Sequence, residues 1–274
     1  MKTFAIVSAL LSSAIGSVVL ANGVDKTPSG AASQATAAWH LDSLDGLEVH
    51  GVSESGADAV EVHADVADYQ GRRAVRIVNE EGPSAGSSGA QVLALVRGSR
   101  FGDGSIELNV AGIPRPGAKP GTRGFVGIAF RVQDDKKRFE SFYLRMTNGR
   151  ALDQLQRNHS AQYFAQPDYP WNRLRSENPG VYESYVDLVA GAWTAMRIQV
   201  DGTMARLYVN GAREPCLIVN DLKLGQTEGA IALWVGSDTV AYFSDLSVNQ
   251  AAGQLRASVS ANQYQAVAAW AAVP

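Results

Sequence analysis

Between Arg145 and Arg175 the chain reads RMTNGRALDQLQRNHSAQYFAQPDYPWNRLR, and nowhere else in its 274 residues are chemically capable side chains so dense. Guanidinium groups at Arg145, Arg150, Arg157, Arg173 and Arg175 are interleaved with amides, the carboxylates of Asp153 and Asp168, the imidazole of His159 and the rings of Tyr163, Tyr169 and Trp171. So many polar groups cannot all be buried without an unusual number of internal partners. The stretch is therefore expected to stand open as a binding surface. Its mixture suits a polyhydroxylated ligand, a carbohydrate or glycoside. Flat apolar sugar faces can lie on Tyr163, Tyr169 and Trp171, while Arg145, Asn148, Arg157, Asn158 and Arg173 satisfy hydroxyl groups in directional pairs. The competing reading is a long structured loop whose arginines and carboxylates pair with each other.

His159 is the best single candidate for proton transfer, because imidazole titrates near neutrality and Asp153 and Asn158 are close enough in sequence to orient it. A glycoside-cleaving site, hydrolytic or eliminative, would use His159 with Asp153 or Asp168 as acid and base. The alternative for His159 is a hydrogen bond to loop backbone. Paired-carboxylate glycosidases hold their acids about 5 to 9.5 Å apart, which within one strand means two positions apart. No such pair falls on a core strand, so any second acid, Glu140 or Glu183, must come from a different strand. His40, His50 and His63 lack ligand spacing, which argues against a histidine metal site. Calcium is compatible with loop carboxylates at Asp134, Asp135 or Asp221, although no calcium-loop spacing is present. Neither Gly-x-Ser-x-Gly nor Gly-x-x-x-x-Gly-Lys occurs, so those nucleophile and phosphate-loop motifs are absent.

The elements that must position these groups read as strands. Residues 1–21, with Lys2, the apolar run Phe4 to Leu20 and the small-residue end at Ala21, are expected to be a secretory signal peptide, so the mature protein is expected to be secreted or periplasmic. No other stretch is apolar and long enough to span a bilayer. Loss of residues 1–21 leaves 23 basic against 27 acidic side chains, a formal charge of −4 instead of −3. That balance excludes a general polyanion or nucleic-acid surface, although the arginine-rich stretch can hold one acidic group locally. Cys216, the single cysteine, rules out an intramolecular disulfide and is expected to be a buried thiol. Residues 22–38 read as a disordered tether, residues 39–249 as one domain, and residues 250–274 as an alanine-rich tail of unassigned structure.

Within the domain, short runs such as Leu47-Val49, Val60-Val62, Ala74-Val78 and Gln91-Val96 read as strands. In Ser105-Val110 the alternation is strict, with Ile106, Leu108 and Val110 on one face. Breaks such as Glu81-Gly82-Pro83 separate them. Gly124 to Val132 alternates Val126, Ile128, Phe130 and Val132 against Phe125, Gly127, Ala129 and Arg131, and the small residues of the second set leave room above the sheet. Glu140 to Met146 turns Phe142, Leu144 and Met146 inward. Trp193 to Val200, the turn Asp201-Gly202, and the returning Ala205, Leu207 and Val209 before Asn210-Gly211 form the clearest hairpin signal. A phase slip near Ser244-Asp245 in the last strand predicts a bulge. Helical periodicity is scarce, so the expected fold class is all-β, a two-sheet antiparallel jelly-roll sandwich.

The hairpin GAWTAMRIQVDG followed by ARLYVNG resembles the signature of concanavalin A-like, or laminin-G-like, jelly rolls. The closing GAIALW and AYFSDL are similar to the end of bacterial secreted domains called 3-keto-disaccharide hydrolase-like, and the resemblance covers roughly Trp39 to Val248. It implies a sugar-related ligand on the concave sheet face or its rim, and for the closer relatives action on oxidised glycosides. Endoglucanases of the superfamily carry a Glu-x-Asp-x-x-Glu strand that this chain lacks, so the resemblance assigns no catalytic residue here. A protein-binding adhesion module is the third class that such a fold hosts.

Overall fold

The computed structural model describes residues 35–52, 62–80 and 89–251. The expected signal peptide, the break at Glu81-Gly82-Pro83 and residues 252–274 of the tail lie outside them. In chain order the strands are β1 (Ala35–Trp39), β2 (Leu47–Val52), β3 (Val62–Tyr69), β4 (Arg72–Asn79), β5 (Gln91–Val96), β6 (Gly104–Pro114), β7 (Phe125–Val132) and β8 (Phe139–Arg145). They continue as β9 (Ala161–Gln166), β10 (Glu183–Ser184), β11 (Thr194–Asp201), β12 (Met204–Val209), β13 (Leu217–Val219), β14 (Ala230–Val235) and β15 (Thr239–Gln250). Two short helices, α1 (Gln154–Asn158) and α2 (Trp171–Glu177), lie on either side of β9 in the chain.

The strands pair into two antiparallel sheets, the all-β jelly-roll sandwich expected from the alternation. The back sheet runs β13-β12-β11-β6-β15-β4-β3 with β1 added against β15, and the front sheet runs β10-β9-β8-β7-β14-β5-β2. Ile106, Leu108, Met196, Ile198, Leu207 and Phe243 of the back sheet and Val126, Ile128, Phe142, Leu144, Val92 and Leu233 of the front sheet share one buried core. Burial of these side chains is the main source of stability, at ~25 cal/mol per Å² of apolar surface removed from water.

The back sheet keeps one solvent face, so β11 alternates between buried and open positions along its length. Every residue of β5 and β8, by contrast, is buried. The β11–β12 hairpin forms as expected, with Ile198 opposite Leu207, but Asp201 still pairs with Met204. The turn is therefore Gly202-Thr203, one residue later than the Asp-Gly reading, with Gly202 at φ 59°. Asn210 and Gly211 take φ 52° and 70°, the left-handed pair that an Asn-Gly turn supplies cheaply. The phase slip in β15 is real: the register against β6 shifts between Ser244 and Ser247, and Asp245 stands at φ 54°.

Three expectations need correction. The tether ends earlier than residue 38, because Ala35–Trp39 pairs with β15 as a strand. Arg131 is not an outer-face residue. Its φ of 52° breaks the alternation, and the guanidinium is fully buried, donating to the carbonyls of Gly102, Gly202 and Gly225 and to Asp103. Cys216 is half-buried rather than sealed, packed against the core, with burial pushing its thiol up to about 11. No helix among the described residues is long and apolar enough to cross a membrane.

Candidate functional site

The outer face of the front sheet carries the site, and strand register assembles its floor. Gly127 lies between Tyr143 on β8 and Trp234 on β14, and Tyr143 lies opposite Gln162 on β9. All four side-chain positions therefore share one face, as cross-strand partners must. The rings close up over the glycine: Tyr143 is 4.8 Å from Trp234 and 5.6 Å from Phe164, and Phe164 is 5.5 Å from Trp234, centroid to centroid. A β-carbon at Gly127 would collide with the Phe142 carbonyl and the start of the Tyr143 side chain. The room expected above the small residues of β7 is thus occupied by an aromatic floor, which Phe125 extends.

The excursion after β8 forms the wall and roof. It begins with a 3-10 turn at Met146–Asn148, passes through α1, returns as β9, and leaves again through α2. Asp153 caps α1, its Oδ1 accepting from the Gln156 backbone N–H at 2.6 Å. Buried Leu174 anchors α2 to the body of the protein. Between floor and roof lies a cavity of about 520 Å³, lined by Gln91, Phe125, Tyr143, Phe164 and Trp234 below and by Arg145, Asn148, Asp153, Leu155, Gln156, His159, Trp171 and Arg175 beside and above. That volume is in the range of small-molecule sites. Gly236 lines it too, where a β-carbon would stand 2.6 Å from Phe125 Cβ.

A hydrogen-bonded polar wall crosses the cavity. Arg145 is buried and donates to the Tyr143 hydroxyl at 2.6 Å, to Gln162 Oε1 at 3.2 Å and to the His159 carbonyl at 3.0 Å. Burial holds its guanidinium below the usual arginine range, with Tyr143 acting in the opposite direction. Arg175 grips Glu183 through both carboxylate oxygens, at 2.7 and 2.9 Å from Oε2 and 3.1 Å from Oε1. Both guanidiniums lie near one indole, Arg145 at 5.4 Å and Arg175 at 4.7 Å from the Trp171 ring. His159 Nε2 lies 3.1 Å from Glu183 Oε1. Desolvation and the neighbouring Arg175 lower the imidazole's pKa, and Glu183 opposes them, so the neutral ring is favoured near neutrality.

Of the residues singled out in the sequence, Arg145, Asn148, Asp153, His159, Trp171 and Arg175 line the cavity. The others lie elsewhere. Tyr163 faces the core, completely buried, its hydroxyl accepting from the Lys223 backbone N–H at 2.9 Å, so it offers no face to a ligand. Asp168 is exposed, and its carbonyl accepts from Arg173, which itself pairs with Glu177 and lies over Tyr169. Arg157 leans on Tyr185, and Asn158 accepts from Gln154 on the surface of α1. Asp168, rather than Asp153, is thus the candidate acid that falls outside the cavity, and the carboxylate that meets His159 is Glu183.

The sequence reading overlooked Gln162, Tyr143, Trp234 and Gln91. Gln91 is buried and accepts from the Trp234 indole N–H at 2.8 Å, which fixes that ring in the floor. Glu140 points the other way, into the core, where desolvation raises its carboxyl to about 7 despite the Leu224 N–H donating to it at 2.7 Å. Among the described residues no group of three or more His, Cys, Asp and Glu is placed to hold a metal ion. Asp135 instead binds the Lys137 and Arg138 amides, and Asp221 holds Tyr182 and Lys223.

No protein-family model and no curated protein matches the chain. Solved structures similar to it include the carbohydrate-binding module CBM66 from Bacillus subtilis, at 12% identity over 73% of this chain and 95% of that one, with a TM-score of 0.44. Domain 4 of AbnA, an extracellular GH43 arabinanase from Geobacillus stearothermophilus solved with arabinotriose, is similar at 13% identity over 79% and 93%, TM-score 0.45. The exoplasmic/lumenal domain of VIP36 in its Ca²⁺/mannose-bound form is similar at 8% identity over 74% and 90%, TM-score 0.45.

Proposed function

We propose that this protein is an exported carbohydrate-recognition domain that binds a glycan or glycoside in the cavity between the front sheet and its roof. The observation that carries the reading is the junction, in one cleft, of an aromatic floor and a wall of guanidinium, amide and imidazole groups. Sugars present apolar C–H faces and directional hydroxyl groups together, so both halves of the cleft have a counterpart on the ligand. Arg145, Asn148, His159 and Arg175 supply the directional contacts, and Trp171 the stacking face. Export rests on residues 1–21, which read as a signal peptide.

The His159–Glu183 contact favours a second reading, glycoside cleavage with His159 moving a proton and Glu183 orienting the ring, on substrates that include the 3-keto-glycosides implied by the sequence resemblance. One experiment separates the two. The purified protein is incubated with a panel of glycans and 3-keto-glycosides, following both binding and product. Saturable binding without product supports recognition alone, and turnover abolished by His159→Ala supports cleavage. A folded protein that neither binds nor turns over any member of the panel overturns both.

A further inference from the structure

Cations outnumber acids around the cavity, in a chain whose formal charge is −3. Arg123, Arg145 and Arg175 line it against a single acidic lining residue, Asp153. Glu183 stands just behind, but Arg175 already claims both of its oxygens. Asp153 is exposed, with one carboxylate oxygen engaged by the first turn of α1. Arg145 is 5% exposed and makes no ion pair with a carboxylate among the described residues, its donors going to a hydroxyl, an amide oxygen and a carbonyl. Arg123 is half-buried at the rim and likewise makes no ion pair among the described residues.

Two of these guanidiniums are near neighbours. Arg145 and Arg175 both reach Gln162 Oε1, at 3.2 and 3.5 Å, and both face the Trp171 ring. Glu183 offsets the charge of Arg175, which leaves the buried Arg145, with no carboxylate paired to it, as one positive charge in excess in a partly water-excluded cleft. Guanidiniums serve hydroxyl groups as well, but only a charged substituent would also offset the positive charge in excess. The fork of a guanidinium matches the paired oxygens of a carboxylate or sulfate.

We infer that the cavity selects an acidic sugar, one whose carboxylate or sulfate ester sits against Arg123 and the uncommitted edge of Arg175, while Arg145, whose terminal N–H groups are engaged by Tyr143, Gln162 and His159, adds its charge from the wall behind. The inference rests on the carbohydrate reading of the cavity and narrows it. The aromatic floor then takes the ring face of the same sugar, and the arginines its charged substituent. Because Arg123 lies at the rim and holds only the Thr122 carbonyl at 3.4 Å, it is the member of the set that can be changed without disturbing the wall.

The test uses short oligosaccharides in matched pairs: an oligouronate with its carboxyl-reduced form, and a sulfated oligosaccharide with its desulfated form, titrated by calorimetry at low and high salt. At least tenfold tighter binding of one acidic member, weakening as salt rises, is expected, and the pair that shows it tells carboxylate from sulfate. Arg123→Gln is expected to shrink that ratio severalfold while leaving the affinity for the neutral member unchanged. Equal affinity within both pairs overturns the acidic preference and leaves sugar binding standing. A ratio that Arg123→Gln does not move overturns the assigned seat. Absence of binding to any member by the folded protein overturns this inference together with the reading beneath it.

Discussion

His159 Nε2 lies 3.1 Å from Glu183 Oε1, so a residue of the roof is tied to the front sheet's edge strand. The folded-state pKa of His159 is depressed, which means the unfolded chain binds a proton that the folded one refuses. Stability linked to this group is therefore full above pH ~6.5 and declines as the pH falls below it. Thermal unfolding followed from pH 8 to pH 5 should show this decline in the wild type and a shallower one in His159→Ala. Parallel curves for the two proteins would remove the imidazole from the balance.

Glu140 is expected to act with the opposite sign. Its carboxyl titrates near 7 in the fold against an ordinary 4.5, so its contribution is full below about pH 4.5 and is lost as pH rises through about 7. Glu140→Gln should consequently be close to neutral at pH 5 and stabilising by about 2 to 3 kcal/mol at pH 8, with the Leu224 N–H still accepted by the amide oxygen. Denaturant melts at the two pH values measure the difference. An equal effect at both would refute the assignment.

Trp171→Ala should weaken glycan binding by about 1 to 3 kcal/mol, because the indole beside Arg145 and Arg175 lines the cavity opposite the aromatic floor. Asp168→Ala, an exposed position outside the cavity, should leave affinity unchanged. Calorimetry on both variants checks the pair, and a reversed order of effects would relocate the site.

Tyr163→Phe tests the core placement of that ring. The substitution leaves the Lys223 N–H without its acceptor and is expected to cost about 1 to 3 kcal/mol of stability while ligand affinity holds. A loss of affinity with unchanged stability would contradict it.

The back sheet was legible because one of its faces meets water: Met196, Ile198 and Val200 alternate with polar residues, and turn chemistry marks where the strand returns. β9 was not. Its sequence AQYFAQ puts Tyr163 into the core and Phe164 into the cavity floor, so both faces are covered and no alternation survives. The same double burial hid the role of Tyr143 on β8. Arg131 was misplaced because a single left-handed residue reverses the facing of its side chain, and an arginine carries no warning of that φ. His159, Arg145 and Trp171, which line the cavity, were singled out from residue type alone, whereas the pairing of His159 with Glu183 depends on β10 lying beside β9, a long-range contact invisible in local spacing.

Most of the hydrogen-bonding groups of the cleft, from Tyr143 to Glu183, occupy one length of chain, while Arg123, Phe125, Trp234 and Gln91 come from elsewhere in the fold. That length has two faces, one turned to the cleft and one to the core shared by both sheets. Ligand preference is therefore open to change at the cavity-facing positions of that length, provided that the core-facing Leu144, Met146, Tyr163 and Leu174 between them are kept.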